Sequence, residues 1–314
     1  SSSSAPSVQS DIPSRTGRIA RAGFSRRVHL APVSRVLHPM DTITKPTLIH
    51  VVVGNNPARC RMLIYHKGLE DQIDIKTPQD YGGWRSPEFL AINPQAKVPA
   101  MLLPSGERLF ESRVILGYLI DKFVAVGPSV GATSPEGRAL AALITQVHDV
   151  YIASPNSSDP AVTANQGCMY KGVDLIDAPS RAGKVAEIYK QLDVLESLIK
   201  GPYAAGETLT EADFALWPTL ACFLRIMMPK VFGWSDVMDD VARPKLRAWH
   251  LKVGELPAAQ RVKVELTQEL QVWENAGKFE PIIQQVKANP DLKWSDFSIG
   301  DKNRAKRHLD VDRH

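Results

Sequence analysis

The sequence predicts an α/β domain followed by an all-α domain, and three observations carry that prediction. Residues 47–126 alternate strand-like runs with helical runs. From about Thr133 onward, apolar residues recur three and four apart in segments joined by polar turns. A chain of 314 residues that is 44% hydrophobic and 23% charged has the composition of one that buries a sizeable core.

The first domain opens with the β-branched run "TLIHVVV", read as a buried strand through Val53. A polar turn of Gly54, Asn55, Asn56 and Pro57 leads into "PARCRMLIYHKGL". There Cys60, Leu63, Ile64 and Lys67 share one side of a helix, and Gly68 stands in C-cap position. "QIDIKT" reads as a second strand and "SPEFLAINP" as a short helix. In "KVPAMLLPSGERLFE", Pro104, Ser105 and Gly106 fit a hairpin turn between two strands, and "SRVILGYLIDKF" closes the unit as a helix.

The second domain is read from "EGRALAALITQVHDVYIA", "RAGKVAEIYKQLDVLESLIK", "TEADFALWPTLACFLRIMM", "RPKLRAWHLKVGEL" and "AAQRVKVELTQELQVWENAG". The predicted boundaries are an arm at 1–46, the α/β domain at 47–126, the helical domain at 127–275 and an extension at 276–314. No internal repeat is visible.

Charge and cysteine usage narrow the function classes. Residues 1–40 hold six arginines against Asp11 alone, and 301–314 hold five basic against three acidic residues. The body between them keeps 27 basic and 30 acidic side chains, so it lacks the basic face that nucleic-acid binding requires. Cys60, Cys168 and Cys222 are far apart and form no CxxC pair, which suits a reducing compartment without a disulfide frame. The most apolar stretch, Leu216 to Trp234, is interrupted by Pro218, Arg225 and Pro229, and reads as a buried helix pair rather than a membrane span. The opening 40 residues are rich in Ser and Arg and poor in acids. That composition suits an organellar transit segment or the arm left by its cleavage, plastid before mitochondrion, with a leader carrying no address and a cytoplasmic protein as the alternative.

Four local motifs carry chemistry. Pro99 after Val98 suits either a cis bond, freeing the Val98 backbone to pair with an extended peptide, or an ordinary entry into an edge strand. Glu111 and Ser112 begin a helix, where a serine is either a simple N-cap or a ligand for a carboxylate at the positive dipole end. Lys97 is either solvated or a partner for a second carboxylate. Thr210 with Asp213 has the spacing of a capping box, which is structural.

"NPQAKVPAML" followed by "LFESRVILGYL", with "AAGETLTEADFALWP" downstream, resembles the glutathione S-transferase family over residues 47 to about 275. The resemblance implies a thioredoxin-like domain followed by an all-helical domain, with glutathione as substrate or bound ligand and no metal. It implies that Val98 beside a cis Pro99 grips the cysteinyl unit and that Lys97 suits the glycyl carboxylate. Ser112 would hold the γ-glutamyl carboxylate while Glu111 faces its ammonium.

In that family a Tyr, Ser or Cys after the first strand lowers the thiol pKa, and here the corresponding turn holds none of them. Asn55 or Asn56 is the candidate catalytic donor, because a carboxamide N–H donates to a thiolate without titrating. A glutathione-dependent reductase or isomerase is expected to carry a cysteine or serine at 54–56. Cys60 reads as a buried structural thiol, while His148 and Tyr151 are expected to face either the cleft or solvent. Two functions remain: a transferase joining glutathione thiolate to an electrophile, with a homodimer as its candidate assembly, or a non-catalytic subunit or adaptor of a larger organellar assembly contacted by the arm.

Overall fold

The structure is a computed structural model and describes residues 43–155, 162–238, 241–292 and 294. Residues 1–42 of the expected arm and 295–314 of the expected extension lie outside the described residues.

Four short strands, β1 (Thr47–Ile49), β2 (Asp74–Lys76), β3 (Ala100–Leu102) and β4 (Arg108–Phe110), form one sheet in the order β2-β1-β3-β4. β1 runs parallel to β2 and antiparallel to β3, and β3 is antiparallel to β4. Alternation along the strands sorts the two faces. Leu48 and Met101 join the core beneath α1 (Asn55–Lys67) and α3 (Ser112–Lys122), while Ile49, Ala100 and Leu102 pack on Phe89 and Ile92 of α2 (Pro87–Ile92). The thioredoxin-like order of elements is as expected.

The strand expected through Val53 stops at Ile49. Arg61 is fully buried and its guanidinium donates to the carbonyls of Val51 at 3.1 Å and Val52 at 2.8 Å. Carbonyls turned inward toward one guanidinium cannot extend a ladder, so the valines become a turn. The helix then starts earlier than expected, at Asn55, with Gly54 as N-cap. Its far end is as expected: Gly68 has φ 64°, and Leu69 N–H reaches back to the Ile64 carbonyl at 3.0 Å.

Lys67 lies on the buried side of α1, and its ammonium donates to the carbonyls of Phe123, Val126 and Pro128 at 3.1, 2.8 and 3.1 Å. It thereby closes the chain that leaves α3. Gly127 fits there because it has no side chain: a Cβ would stand 2.5 Å from the Lys67 carbonyl oxygen.

The helical domain begins with α4 (Pro135–His148), which continues into a π-wound stretch, Asp149–Ala153. A 3-10 segment (Asn165–Met169) and α5 (Ala178–Leu198) follow. Next come α6 (Glu211–Leu216), a second π-wound stretch (Trp217–Leu224) and α7 (Arg225–Phe232). The expected helix pair is thus one continuous helical run, Glu211–Phe232. Pro218 removes one backbone donor, and the chain answers with wider winding rather than a break. This run is long and apolar enough to cross a membrane by composition, yet 78% of its apolar window is buried inside the protein.

α8 (Pro244–Gly254), α9 (Pro257–Asn275) and α10 (Glu280–Lys287) complete the domain. One apolar core runs from the α1 and α3 face of the sheet through α4 to α9. Inside it the expected capping box is present, with Thr210 N–H donating to Asp213 Oδ2 at 2.8 Å. The other oxygen of Asp213 accepts from Ala204 N–H at 2.8 Å and Trp249 Nε1 at 2.9 Å, so one buried carboxylate ties three segments together.

Candidate functional site

A cavity of about 620 Å³ lies where the first turns of α1 and α3 meet the loop before β3 and the end of α4. Asn56, Lys97, Val98, Pro99, Glu111 and Ser112 all line it, so six of the seven residues singled out in the sequence come together. The Val98–Pro99 peptide is cis. Val98 precedes β3, and its N–H and C=O have no hydrogen-bond partner among the described residues. Asn93 shapes the loop from within, donating from Nδ2 to the Lys97 carbonyl at 2.8 Å and accepting from Gln95 N–H at 3.0 Å.

Glu111 is the N-cap of α3 and sits at φ 68°, ψ 113°. A non-glycine residue there costs roughly 1–3 kcal/mol and persists where the surroundings impose it. Among the described residues, Ala96 (φ 52°) is the other non-glycine residue with positive φ, and it too lines a cavity of this region. Backbone strain is therefore concentrated on the two loops that frame the site. Ser112 is buried at the first position of α3, where N–H groups lack intrahelical partners, and its hydroxyl has no partner among the described residues.

The two asparagines separate sharply. Asn55 is buried, and its Nδ2 donates to Gln166 Oε1 at 3.1 Å and Thr219 Oγ1 at 2.8 Å, while its Oδ1 accepts from Gln166 Nε2 at 3.2 Å. Both amide hydrogens are occupied by the helical domain, which corrects the expectation that Asn55 is available to a thiolate. Asn56 lies one residue on and lines the cavity. Its Oδ1 accepts from Arg59 Nη2 at 2.9 Å, and its Nδ2 donates to none of the described residues.

Beneath the asparagines runs a buried polar chain. Arg59 is fully buried and pairs with Asp149 through both terminal nitrogens, at 2.5 and 3.1 Å. Burial opposes ionisation of Asp149. The Arg59 charge and hydrogen bonds from His148 and Arg59 outweigh it and hold the carboxyl well below the usual carboxylate range. Burial above all lowers the His148 pKa, so its ring is neutral.

An ionised Asp149 only accepts, so the 2.8 Å contact to His148 Nδ1 places the imidazole proton on Nδ1. Nε2 then accepts from the Thr219 hydroxyl at 2.8 Å, and that oxygen accepts from Asn55. Donors and acceptors alternate consistently from Asn55 to Asp149. His148 thus faces neither cleft nor solvent, as expected earlier, but the interior; Tyr151 is exposed. Cys60 is fully buried, and burial pushes its thiol up to about 12, so it stays protonated.

A second cavity of about 590 Å³ adjoins the first, and Asn56, Gln95, Lys97, Val98 and Pro155 line both. It adds Trp84 and Arg85 from the sheet domain and Tyr170 and Lys171 from the helical domain. These residues were missed in the sequence, as were Arg113 and Gln146 of the first cavity, which bond to each other at 2.9 Å. Gln95 was within reach of sequence reading, since it stands in the same loop motif as Lys97. Gln146 and Lys171 carried no local signal, because only packing of the helical domain brings them in. Among the described residues, no group of His, Cys, Asp or Glu is clustered to hold a metal.

A thioredoxin-like domain with a cis-proline loop, its cleft completed by an all-helical domain, defines a two-domain architecture with the candidate site where the two domains meet. Residues 55–122 match the glutathione S-transferase N-terminal domain and residues 178–251 its C-terminal domain. Glutathione S-transferase 3 of Zea mays is 30% identical over 210 residues, covering 66% of this chain and 87% of that protein. Glutathione S-transferase F10 of Arabidopsis thaliana is 29% identical over 187 residues, covering 59% and 81%. The crystal structure of glutathione transferase F7 from Populus trichocarpa superposes with a TM-score of 0.55 at 22% identity, covering 70% of this chain and 99% of that one. The chain belongs to the glutathione S-transferase family.

Proposed function

We propose that the protein binds glutathione in the 620 Å³ cavity and joins its thiolate to an electrophile held in the adjoining one. The observation that carries this is the shared wall: Asn56 and Val98 line both cavities. A cysteinyl unit paired to the Val98 backbone places its sulfur beside Asn56, at the opening between them. The γ-glutamyl carboxylate goes to Ser112 and the start of α3, its ammonium to Glu111, and the glycyl carboxylate to Lys97. The unengaged Nδ2 of Asn56 donates to the thiolate, which lowers the thiol pKa by favouring its charged form. The thiol proton leaves to solvent as the thiolate forms; its sulfur then bonds to the electrophilic carbon, and the leaving group, chloride in the case of an aryl chloride, departs with the electron pair of the broken bond.

Calorimetric titration with glutathione, followed by a turnover assay with a generic aryl halide, tests this. Saturable binding and conjugate formation are expected, and absence of saturable binding overturns the proposal. The turn at 54–56, which holds carboxamides where the family usually has a hydroxyl or thiol, favours a second reading: a glutathione-binding subunit or adaptor without turnover. Binding without conjugation of any electrophile decides for it. The Ser- and Arg-rich composition of residues 1–40 supports an organellar address, plastid before mitochondrion. A fluorescent fusion that stays in the cytoplasm would overturn that address.

A further inference from the structure

Resting on that reading, we propose that the adjoining cavity selects an electrophile bearing a carboxylate, which it holds through Lys171 on the helical-domain wall. The described residues lining this cavity include Arg85, Lys97 and Lys171 and no aspartate or glutamate. Lys97 also lines the first cavity, where the glycyl carboxylate of glutathione lies in the proposed complex. Arg85 and Lys171 line only the second, and neither forms an ion pair with a described residue. Arg85 and Lys171 carry the same charge on the walls of one cavity, and a bound anion offsets their repulsion.

The chemistry of the wall extends beyond charge. Lys171 follows Tyr170, whose ring packs against Phe223 and Trp273 with centroids 6.2 and 5.7 Å away. Burial foremost pushes the Tyr170 hydroxyl up to about 12, against a hydrogen bond with Gln166 that lowers it, so the ring stands in the wall as a neutral phenol. Across the cavity Trp84 offers a partly exposed indole face. One ammonium and an aromatic wall match an aryl or conjugated acid. With 4-chloro-3-nitrobenzoate, for example, sulfur bonds to the ring carbon bearing chlorine, chloride departs with the electron pair, and the thiol proton goes to solvent.

The test uses an inert pair, 3-nitrobenzoate and its methyl ester, titrated calorimetrically into the full chain with and without S-methylglutathione. The acid is expected to bind about tenfold more tightly than the ester, as one charge-assisted contact provides. Lys171→Gln should abolish that preference and Lys171→Arg should keep it. In turnover, the acid-to-ester ratio of kcat/KM, each divided by its uncatalysed rate, should fall about tenfold in Lys171→Gln. Equal affinity for acid and ester, no measurable binding of the acid, or an equal loss for both ligands in Lys171→Gln overturns the proposal. An acid preference that depends on Lys171 in a protein that does not bind glutathione sustains the anion site and overturns the transferase reading instead.

Discussion

Asn55 and Asn56 carry the same side chain one residue apart, yet their predicted phenotypes differ because their hydrogens go to different places. Asn55→Ala leaves Gln166 and the Thr219 hydroxyl with unmatched buried groups, so it should lower stability by about 1–3 kcal/mol in denaturant titrations. Asn56→Ala takes one acceptor from buried Arg59, which keeps Asp149, so it should lower the midpoint less than Asn55→Ala does while raising the pKa of bound glutathione thiol, read by ultraviolet absorbance of the thiolate, and lowering kcat. A kcat loss confined to Asn55→Ala would reverse the assignment. At the other end of the ligand, Ser112→Ala should weaken glutathione binding by about 1–3 kcal/mol, since it removes a partner from a charged group. Unchanged affinity by calorimetry removes this serine from the site. The cis-proline loop and the start of α3 were legible in the sequence because each is a run of adjacent residues. The fate of Asn55 was not, because its partners lie 111 and 164 residues further along.

At the scale of elements, the turn between β1 and α1 is held from inside by Arg61, which also meets His50 Nδ1 at 3.0 Å and Glu265 at 3.0 Å. Burial and then the Arg61 charge lower the His50 pKa from 6.5 to about 4. The folded pKa is below the unfolded one, so as pH falls the unfolded chain takes up the proton first. The stability this histidine contributes is therefore complete above pH 6.5 and lost as pH falls from 6.5 toward about 4. At about 1.4 kcal/mol per unit, the loss is on the order of 3 kcal/mol. Neutral, buried His148 works in the same direction.

Thermal melts of the wild type from pH 7 to 4 should show this slope. His50→Gln, which keeps an acceptor for Arg61 without titrating, should flatten it; an unchanged slope would place the acid sensitivity elsewhere. Sequence reading extended β1 through Val53 because β-branched residues favour strands, and a buried guanidinium supplied by α1 overrode that preference.

For the whole molecule, charged pairs cross the joint between the domains both beneath the site and at the surface. Arg59 to Asp149 crosses that joint with the arginine fully buried, whereas Arg261 to Glu70 crosses it at the surface. Their worth should differ accordingly. Asp149→Ala strands a buried charge and should cost about 3–5 kcal/mol, while Glu70→Ala should cost less than about 1 kcal/mol. Chemical denaturation of both variants checks the ordering, and similar losses would mean that burial does not set the strength of this joint. The two-domain order was legible because helical and strand periodicities are local, as was the Thr210–Asp213 cap. How the two cavities share a wall was not, since that follows from docking α4 and the 3-10 segment against the sheet domain.

The hydrogen bond from Arg59 to the Asn56 carboxamide has an evolutionary consequence. An asparagine codon becomes a serine codon by a single base change, so the hydroxyl usual in this family is genetically adjacent to this sequence. Serine is too short to offer Arg59 the oxygen it now has at 2.9 Å, and the guanidinium would keep its pairing with Asp149 but lose that neutral acceptor. A lineage crossing between the two residues must therefore change the surroundings of Arg59 as well as the codon. The asparagine is in this sense anchored by its neighbour, since a change at position 56 alone leaves the buried guanidinium of Arg59 one acceptor short.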